Sequence, residues 1–240
     1  MPYLILSDIH GNLEALEAVL ADAEGYYDRV LCLGDLVGYG ADPNAVVAWA
    51  RENVAAIVRG NHDRVCIGLE PVDTYNAAAQ ASAHWTQAEL TPAHRDYLER
   101  LPRGPLPYHG VDLVHGSPAD EDEYLLSVIQ VPGLQPFLER QVTFFGHTHI
   151  QGGFLMARRG TRVLMPSVAL TIEPDYFYLV NPGSVGQPRD RDPRAAYALY
   201  SPVERTVEFR RAAYDANRAA AKIRAAGLPE FLAARLQEGV

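Results

Sequence analysis

Cysteine is nearly absent: Cys32 and Cys66 are the two in 240 residues. That rules out a disulfide framework, and Cys32, inside the apolar run VLCLG, reads as a reduced, buried thiol. Basic charge is also scarce. Lys and Arg number 21 against 30 Asp and Glu, for a formal net charge of −9 and a pI near 5.3. A surface that draws in a nucleic-acid polymer is therefore not expected, nor is a DNA nuclease, because the phosphate backbone calls for a basic track. A small phosphate substrate can still be held by local charge. Long apolar runs are missing as well, and no segment approaches the roughly 18 residues that span a bilayer. The start MPYLILSDIHG has no basic n-region and stops being apolar at Asp8, so neither signal peptide nor membrane anchor is expected and the cytoplasm is the default compartment. Repeats, low-complexity tracts and linkers are absent too. A single domain over residues 1–240 is the simplest organisation for a chain that is 48% hydrophobic.

What is present is a series of short apolar runs: YLILS (3–7), RVLCLG (29–34), AAIVRG (55–60), VDLVHG (111–116) and VTFFG (142–146). Runs apolar throughout and bounded by Gly or polar residues suit strands buried on both faces. Asn12 is placed to cap a helix with Leu13, Leu16, Val19 and Leu20 on one face and Gly25 near its end. Asp42 and Pro43 open a second, carrying Val46, Val47 and Ala50. Strand and helix in alternation imply a parallel sheet with right-handed crossovers. Residues 64–108 interrupt the pattern with a helical insertion: one helix from about Thr74 to Leu90, another opened by Thr91–Pro92 and ended by Pro102. After His149 the runs 161–167, 175–184, 194–201 and 205–214 predict a second, largely antiparallel sheet. A tail over about 215–239 holds two helical segments divided by Gly227 and Pro229.

Each of the first five runs is followed at once by acid, imidazole or amide side chains: Asp8 and His10, Asp35, Asn61 with His62 and Asp63, His115, and His147 with His149. The carboxyl ends of parallel strands converge on one crevice, which makes neighbours of residues far apart in sequence. Five of the eight histidines fall there. Singly, each is an ordinary turn residue or a satisfied His. Together they would desolvate many polar groups at one place, and metal ions satisfy all of them at once. Imidazole and carboxylate suit Mn, Fe, Zn or Co, whereas a thiolate site would need cysteines that are not there. A carboxylate can bridge two cations, and such pairs assist in-line displacement at phosphorus.

The order DIHGN, GDLVGYG, GNHD, VHGS, GHTH resembles that of the calcineurin-like metallophosphoesterases over about residues 3–186. The resemblance implies an α/β four-layer αββα sandwich of two packed mixed sheets with a binuclear site at one edge. It assigns Asp8, His10 and His149 to one metal, Asn61, His115 and His147 to the other, and Asp35 as the bridge. It places His62 over the substrate as phosphate stabiliser or proton donor, with Asp63 polarising that imidazole. The attacking group is implied to be a hydroxide that the cations generate near neutral pH. The stretch NPGSVGQPRD (181–190) further resembles a subgroup of small bacterial phosphodiesterases. Arg189 either reaches a substrate phosphate or only completes the loop. Asn12 and Arg59 are further candidates for substrate contact, with helix capping and surface pairing as their ordinary roles. Arg64, Asn76, His84 and Trp85 are weaker ones.

The expected function is therefore hydrolysis of small phosphodiesters or nucleotides with two divalent transition ions, Mn favoured over Fe, Zn or Ni, and with no nucleic-acid polymer or membrane as partner. A phosphomonoesterase or protein phosphatase shares the chemistry. A binding scaffold that has lost catalysis is the alternative of another class, disfavoured by the presence of His62 and of every ligand.

Overall fold

The computed structural model describes residues 2–157, 160–166 and 169–240. The chain opens with β1 (Tyr3–Leu6), α1 (Leu13–Asp22), β2 (Arg29–Cys32), α2 (Pro43–Asn53) and β3 (Val54–Ile57), then α3 (Asn61–Cys66), α4 (Ala77–Glu89) and α5 (Pro92–Glu99). There follow β4 (Leu106–Tyr108), β5 (Val111–Leu113), β6 (Val142–Phe144), β7 (Gly152–Ala157), β8 (Gly160–Leu164), β9 (Leu170–Thr171), β10 (Phe177–Asn181), β11 (Ala195–Ser201) and β12 (Thr206–Ala212), and the chain closes with α6 (Ala216–Ala225) and α7 (Glu230–Glu238). Helix starts follow the capping residues. Asn12, Asn76, Thr91 and Asp215 each accept a hydrogen bond from a backbone N–H of the first turn. Asp42 makes no such bond and instead accepts one from Lys222 Nζ at 2.7 Å.

The strands form two mixed sheets with flanking helices. The first has the order β3-β2-β1-β11-β12-β9 and the second β4-β5-β6-β10-β7-β8. These are the two mixed sheets that the resemblance implies, and the three strands alternating with helices are parallel as expected. The second sheet, expected to be largely antiparallel and built from the runs after His149, also takes in β5 and β6. β1, β2 and β3 are parallel, but the free edge of β1 is taken by antiparallel β11, and β5 and β6 lie in the other sheet, parallel to β10. The cause is visible in the packing. Ile5, Leu31, Leu33 and Val58 of the first sheet bury against Val111, Leu113, Val142, Phe144 and Tyr178 of the second. The other side of β1, Leu4 and Leu6, meets α1 and α2 through Leu16, Val19, Val46 and Val47. A strand sandwiched between a sheet and a helix is apolar on both faces, as is one covered by helices on both faces.

The outer face of the second sheet is covered by a segment carrying a 3-10 turn, Val131–Phe137, through Leu125, Val131, Leu134 and Leu138. The helical insertion starts earlier than expected, at Asn61, and its last residues form β4, paired with β5. The short strands β4, β7 and β9 are not anticipated by the apolar runs. The run read as extending to Ser167 ends in strand at Leu164, and Ser167 lies outside the described residues. In the tail, Leu228, Leu232 and Leu236 pack on Tyr39, Ala79 and Ile223. Among the described residues no helix is long and apolar enough to cross a membrane.

Candidate metal centre

Polar loops leave β1, β2, β3, β5 and β6 toward one place, and backbone hydrogen bonds fix them there. Asp8, His10 and Gly11 donate to the carbonyls of Gly34, Asp35 and Leu36 at 2.8–3.0 Å, extending the β1–β2 ladder beyond the strands. The loop 181–190 ties the second sheet to the first. Val185 N and Gly186 N donate to Ser7 O and Asp8 O, Ser184 Oγ donates to Asp8 O, and Asn181 Nδ2 donates to Gly146 O. Asp8, His10, Asp35, His147 and His149 all have φ between 51 and 65°. Non-glycine residues enter that left-handed region at a cost of about 1–3 kcal/mol each, and such residues concentrate at functional sites. Two glycines are required by space. A Cβ on Gly60 would stand 2.0 Å from Asp35 Oδ1, and one on Gly146 2.0 Å from Ser7 Oγ and 3.0 Å from Asp8 Oδ2.

Two groups of possible ligand atoms result, Asp8, His10, Asp35 and His149 in one and Asp35, His115 and His147 in the other, and every one of these residues is buried. Asp35 belongs to both. His10, His115 and His149 each bond Nδ1 to a backbone carbonyl, of Val37, Leu33 and Gln187, at 2.6–3.0 Å. That fixes Nδ1 as the donor and turns Nε2 inward, the orientation metal-binding histidines adopt. His10 Nε2 and His149 Nε2 then face each other at 3.1 Å. Burial holds both imidazoles below their usual pKa, so two lone pairs confront one another with no proton between them. Asp35 Oδ2 and His147 Nε2 are buried without a hydrogen-bond partner. A cation resolves all these contacts, and nitrogen and carboxylate donors suit a divalent transition metal.

Charge distribution agrees with that donor chemistry. Burial lowers His62 to about 4 and His147 to about 3, the neutral forms a metal or phosphate site uses. His115 is the exception: burial opposes its charge, but the Asp35 carboxylate at 3.4 Å raises it to about 9. Asn61 Oδ1 lies 3.0 Å from His115 Nε2, its amide orientation set by donation from Nδ2 to the Tyr75 hydroxyl. Asp35 and Asp8 stay below the usual carboxylate range although burial opposes it, Asp35 through His115 and His62 and Asp8 through His149.

The expected role of Asp63 needs correction. Its carboxylate does not touch the His62 imidazole. It accepts hydrogen bonds from the backbone N–H of Asp35 and Gly60 at 2.9 Å and of Leu36 at 2.8 Å. His62 and Asp63 are successive residues of α3, and neighbours one apart on a helix do not face each other. Asp63 therefore positions the loop that carries Asp35, whereas His62 Nδ1 has no partner and its ring lies 4.9 Å from that of His10.

A cavity of about 600 Å³ opens onto the site, lined by Asn61, His62 and His147 and by Tyr39, Tyr75, Tyr124, Arg189, Phe231 and Arg235. Tyr124 lies flat on His147, ring centroids 3.7 Å apart. Asn12 and Arg59 are not among the lining residues. Asn12 spends its amide on Ala15 N and Gly186 O, and Arg59 makes two hydrogen bonds to Glu121. Arg64 is buried in ion pairs with Glu70, Glu121 and Asp122. Of the weaker candidates, Asn76 lines the cavity, Trp85 packs in the core beside the tail, and His84 is exposed. Sequence reasoning missed Tyr39, Tyr75, Tyr124, Phe231 and Arg235. Tyr39 alone carried a signal, lying inside the GDLVGYG block.

Residues 1–204 match the pattern of the calcineurin-like phosphoesterase superfamily domain. An uncharacterised protein of Methanocaldococcus jannaschii is 35% identical, over 97% of this chain and 96% of its own. The crystal structure of a metallophosphoesterase from Sphaerobacter thermophilus superposes with a TM-score of 0.88 at 38% identity, covering 100% of this chain and 99% of that one. A hypothetical protein from Pyrococcus horikoshii shares the fold at a TM-score of 0.81 and 21% identity, over 100% and 98% of the two chains.

Proposed function

The chain belongs to the calcineurin-like phosphoesterase superfamily, and from that premise we propose that it hydrolyses small phosphodiesters, nucleotides among them, with two divalent transition ions. The observation that carries this reading is Asp35 Oδ2, a buried, unpartnered carboxylate oxygen 3.6 Å from His10 Nε2 and 3.4 Å from His115 Nε2. It stands between the two groups of donors, where a bridging ligand belongs. Asp8, His10 and His149 would hold one ion with Asp35, and Asn61, His115 and His147 would hold the other with it. Manganese is favoured over iron, zinc and nickel, all of which accept these ligand types. When bound, such a pair supplies Lewis-acid stabilisation of charge at phosphorus and lowers the pKa of water.

The protein's own groups do the rest. His62, with Nδ1 free, faces the cavity beside Asn61, placed to stabilise the phosphate or, once a bound phosphate anion favours its protonated form, to pass that proton to the leaving oxygen. Asp63 keeps Asp35 in place through the backbone N–H groups it accepts from. Arg189 lines the same cavity and offers a guanidinium to a phosphate oxygen. A volume of about 600 Å³ leaves room for an ester group on each side of phosphorus, which favours a diester over a monoester. The 38% identical Sphaerobacter protein carries the name metallophosphoesterase, which supports dependence on metal. The free, buried thiols of Cys32 and Cys66 suit a cytoplasmic location.

The test is hydrolysis of bis-p-nitrophenyl phosphate beside p-nitrophenyl phosphate by metal-stripped protein with Mn, Fe, Zn or Ni added back. Diester turnover that depends on added metal, and that is largely lost in His62→Ala while two ions stay bound, is the expected result. No turnover with any ion, despite two bound, would put the scaffold reading in its place.

A further inference from the structure

A side-chain amide ligates a metal only through its oxygen, because its NH2 end donates and does not accept. Asn61 is the one amide assigned to the metal centre, and a half-turn of its end group would replace a ligand atom by N–H donors. It opens α3 and is buried. Its Oδ1 lies 3.0 Å from His115 Nε2, beside the group formed by Asp35, His115 and His147.

The other end of that amide meets a single hydroxyl. Asn61 Nδ2 donates to Tyr75 Oη at 3.0 Å, and Tyr75 Oη donates to the Asn61 backbone carbonyl at 3.4 Å. A phenol has one proton. With that proton directed to the backbone, the hydroxyl has only lone pairs to offer the amide, so the nitrogen must face it. A turned amide would set its oxygen against the hydroxyl oxygen with no proton between them, and its NH2 group against the donors of the metal centre.

Tyr75 is itself held in place by the helical insertion. Its N–H donates to Val72 O at 3.0 Å, closing the 3-10 turn Val72–Thr74, and its carbonyl accepts from Gln80 Nε2 of α4 at 2.7 Å. Its ring packs against the core on the helical side of the first sheet and against the cluster of the C-terminal helices. The ring edge also meets His62, with centroids 5.5 Å apart and planes at 72°. Tyr75 lies in none of the motif blocks at the strand ends. It nevertheless touches both a candidate ligand and the imidazole beside it.

We propose that Tyr75 is a positioning residue whose hydroxyl holds the Asn61 amide with its oxygen toward His115, so that the helical insertion sets the affinity of one metal position and not of the other. This rests on the two-ion reading above and adds a residue to it. Partners standing behind a ligand typically change metal affinity about 10–100-fold. Selectivity for one position follows from the contacts of the other: His10 and His149 take their orientation from the carbonyls of Val37 and Gln187 instead.

The test is calorimetric titration of Mn into metal-stripped, full-length protein and into Tyr75→Phe, which keeps the ring and removes the hydroxyl. The unaltered protein is expected to bind in two steps, and in the variant one step is about tenfold weaker while the other is unchanged. Anomalous scattering from crystals grown at limiting Mn is expected to show the lowered occupancy at the position of Asn61, His115 and His147. The same substitution is then made in an Asn61→Asp background. A carboxylate presents an oxygen whichever way it turns, so the loss there is expected to stay below about twofold. Unchanged affinities in Tyr75→Phe, an equal weakening of both steps, or an equal loss in both backgrounds would overturn the proposal, the last two leaving Tyr75 a packing role only. Those results, obtained with two ions bound to the unaltered protein, would leave the two-ion reading standing. An unaltered protein whose Asn61 position stays empty at saturating Mn would sink that reading and this proposal with it.

Discussion

Replacing Asp63 by Asn leaves side-chain volume almost unchanged and turns one carboxylate oxygen into an NH2 group. One oxygen now accepts from Asp35 N and Gly60 N and the other from Leu36 N. Whichever way the amide turns, at least one buried backbone N–H meets a second donor in place of an acceptor. An unsatisfied buried donor costs about 1–3 kcal/mol. Burial and the neighbouring Asp35 push the Asp63 carboxyl up to about 7, so the folded state disfavours its charge and loss of that charge adds no further cost. For a chain of this length 1 kcal/mol corresponds to roughly 2–4 °C in Tm, so a fall of about 2–12 °C is expected. The assay is calorimetric unfolding of metal-stripped protein in chelator at pH 6, below that value, where the unaltered carboxyl is neutral as the amide is. The same variant is expected to take up metal more weakly, since the backbone it holds belongs to the loop of Asp35, and to regain most of its turnover at saturating metal. An unchanged Tm and unchanged metal uptake alongside a reduced kcat would refute this, and would return Asp63 to a role as partner of His62.

Asp35→Asn is expected to disturb metal uptake at both positions, because the oxygen it alters is shared between the two groups of donors; a crystal of the variant with two fully occupied ions would remove the bridging role. Gly60→Ala is expected to unfold the protein or destabilise it by more than about 3 kcal/mol, because φ at Gly60 is an ordinary −101° and the obstacle is space against Asp35. Denaturant unfolding checks this, with Arg59→Ala, which removes a partly exposed ion pair, expected to be far milder. Glu121 is held below its ordinary value of 4.5 against the effect of burial, by its hydrogen bonds with Arg59 and the charge of Arg64. Its contribution to stability is therefore present above that value and lost as the pH falls below it. Glu121→Gln should flatten the acid limb of a stability–pH curve in that window, and an unaltered limb would show that the ion pairs contribute nothing there.

The donors of the metal centre are legible because each follows directly on an apolar run, and the backbone ladder that orients Asp8, His10 and Asp35 continues from the strands themselves. The division into sheets is not legible. β5 and β6 are buried on both faces, Val111, Leu113, Val142 and Phe144 on one and Asp112 and Thr143 on the other. That is compatible with a helix or a sheet on either side, and which strand joins which sheet is shown only by pairings such as that of β1 with β11. Asp63 misleads for a related reason. Adjacency in sequence suggests adjacency in space, but the helical turn of α3 sends the carboxylate into the loops and the imidazole into the cavity.

The cavity wall is hidden for a deeper reason. Phosphoryl transfer needs particular atoms at fixed separations, so the residues that supply them recur as compact motifs at strand ends. The wall of the cavity beside them needs only charge and surface of roughly the right kind, and it is drawn from unrelated places: Tyr39 from a loop, Tyr75 from the helical insertion, Tyr124 from the segment over the second sheet, Phe231 and Arg235 from the tail. Tyrosine and arginine in such positions are common, and nothing about them singly marks a ligand. Their meaning comes from convergence on one cavity, where Arg64 is shared between Glu70 and Asp122 and the rings of Tyr39 and Phe231 flank Arg235. A net charge of −9 speaks against long-range attraction of a polyanion and leaves open local binding of a small anion. The donor set is therefore accessible from sequence, and the shape of the cavity beside it only from the fold.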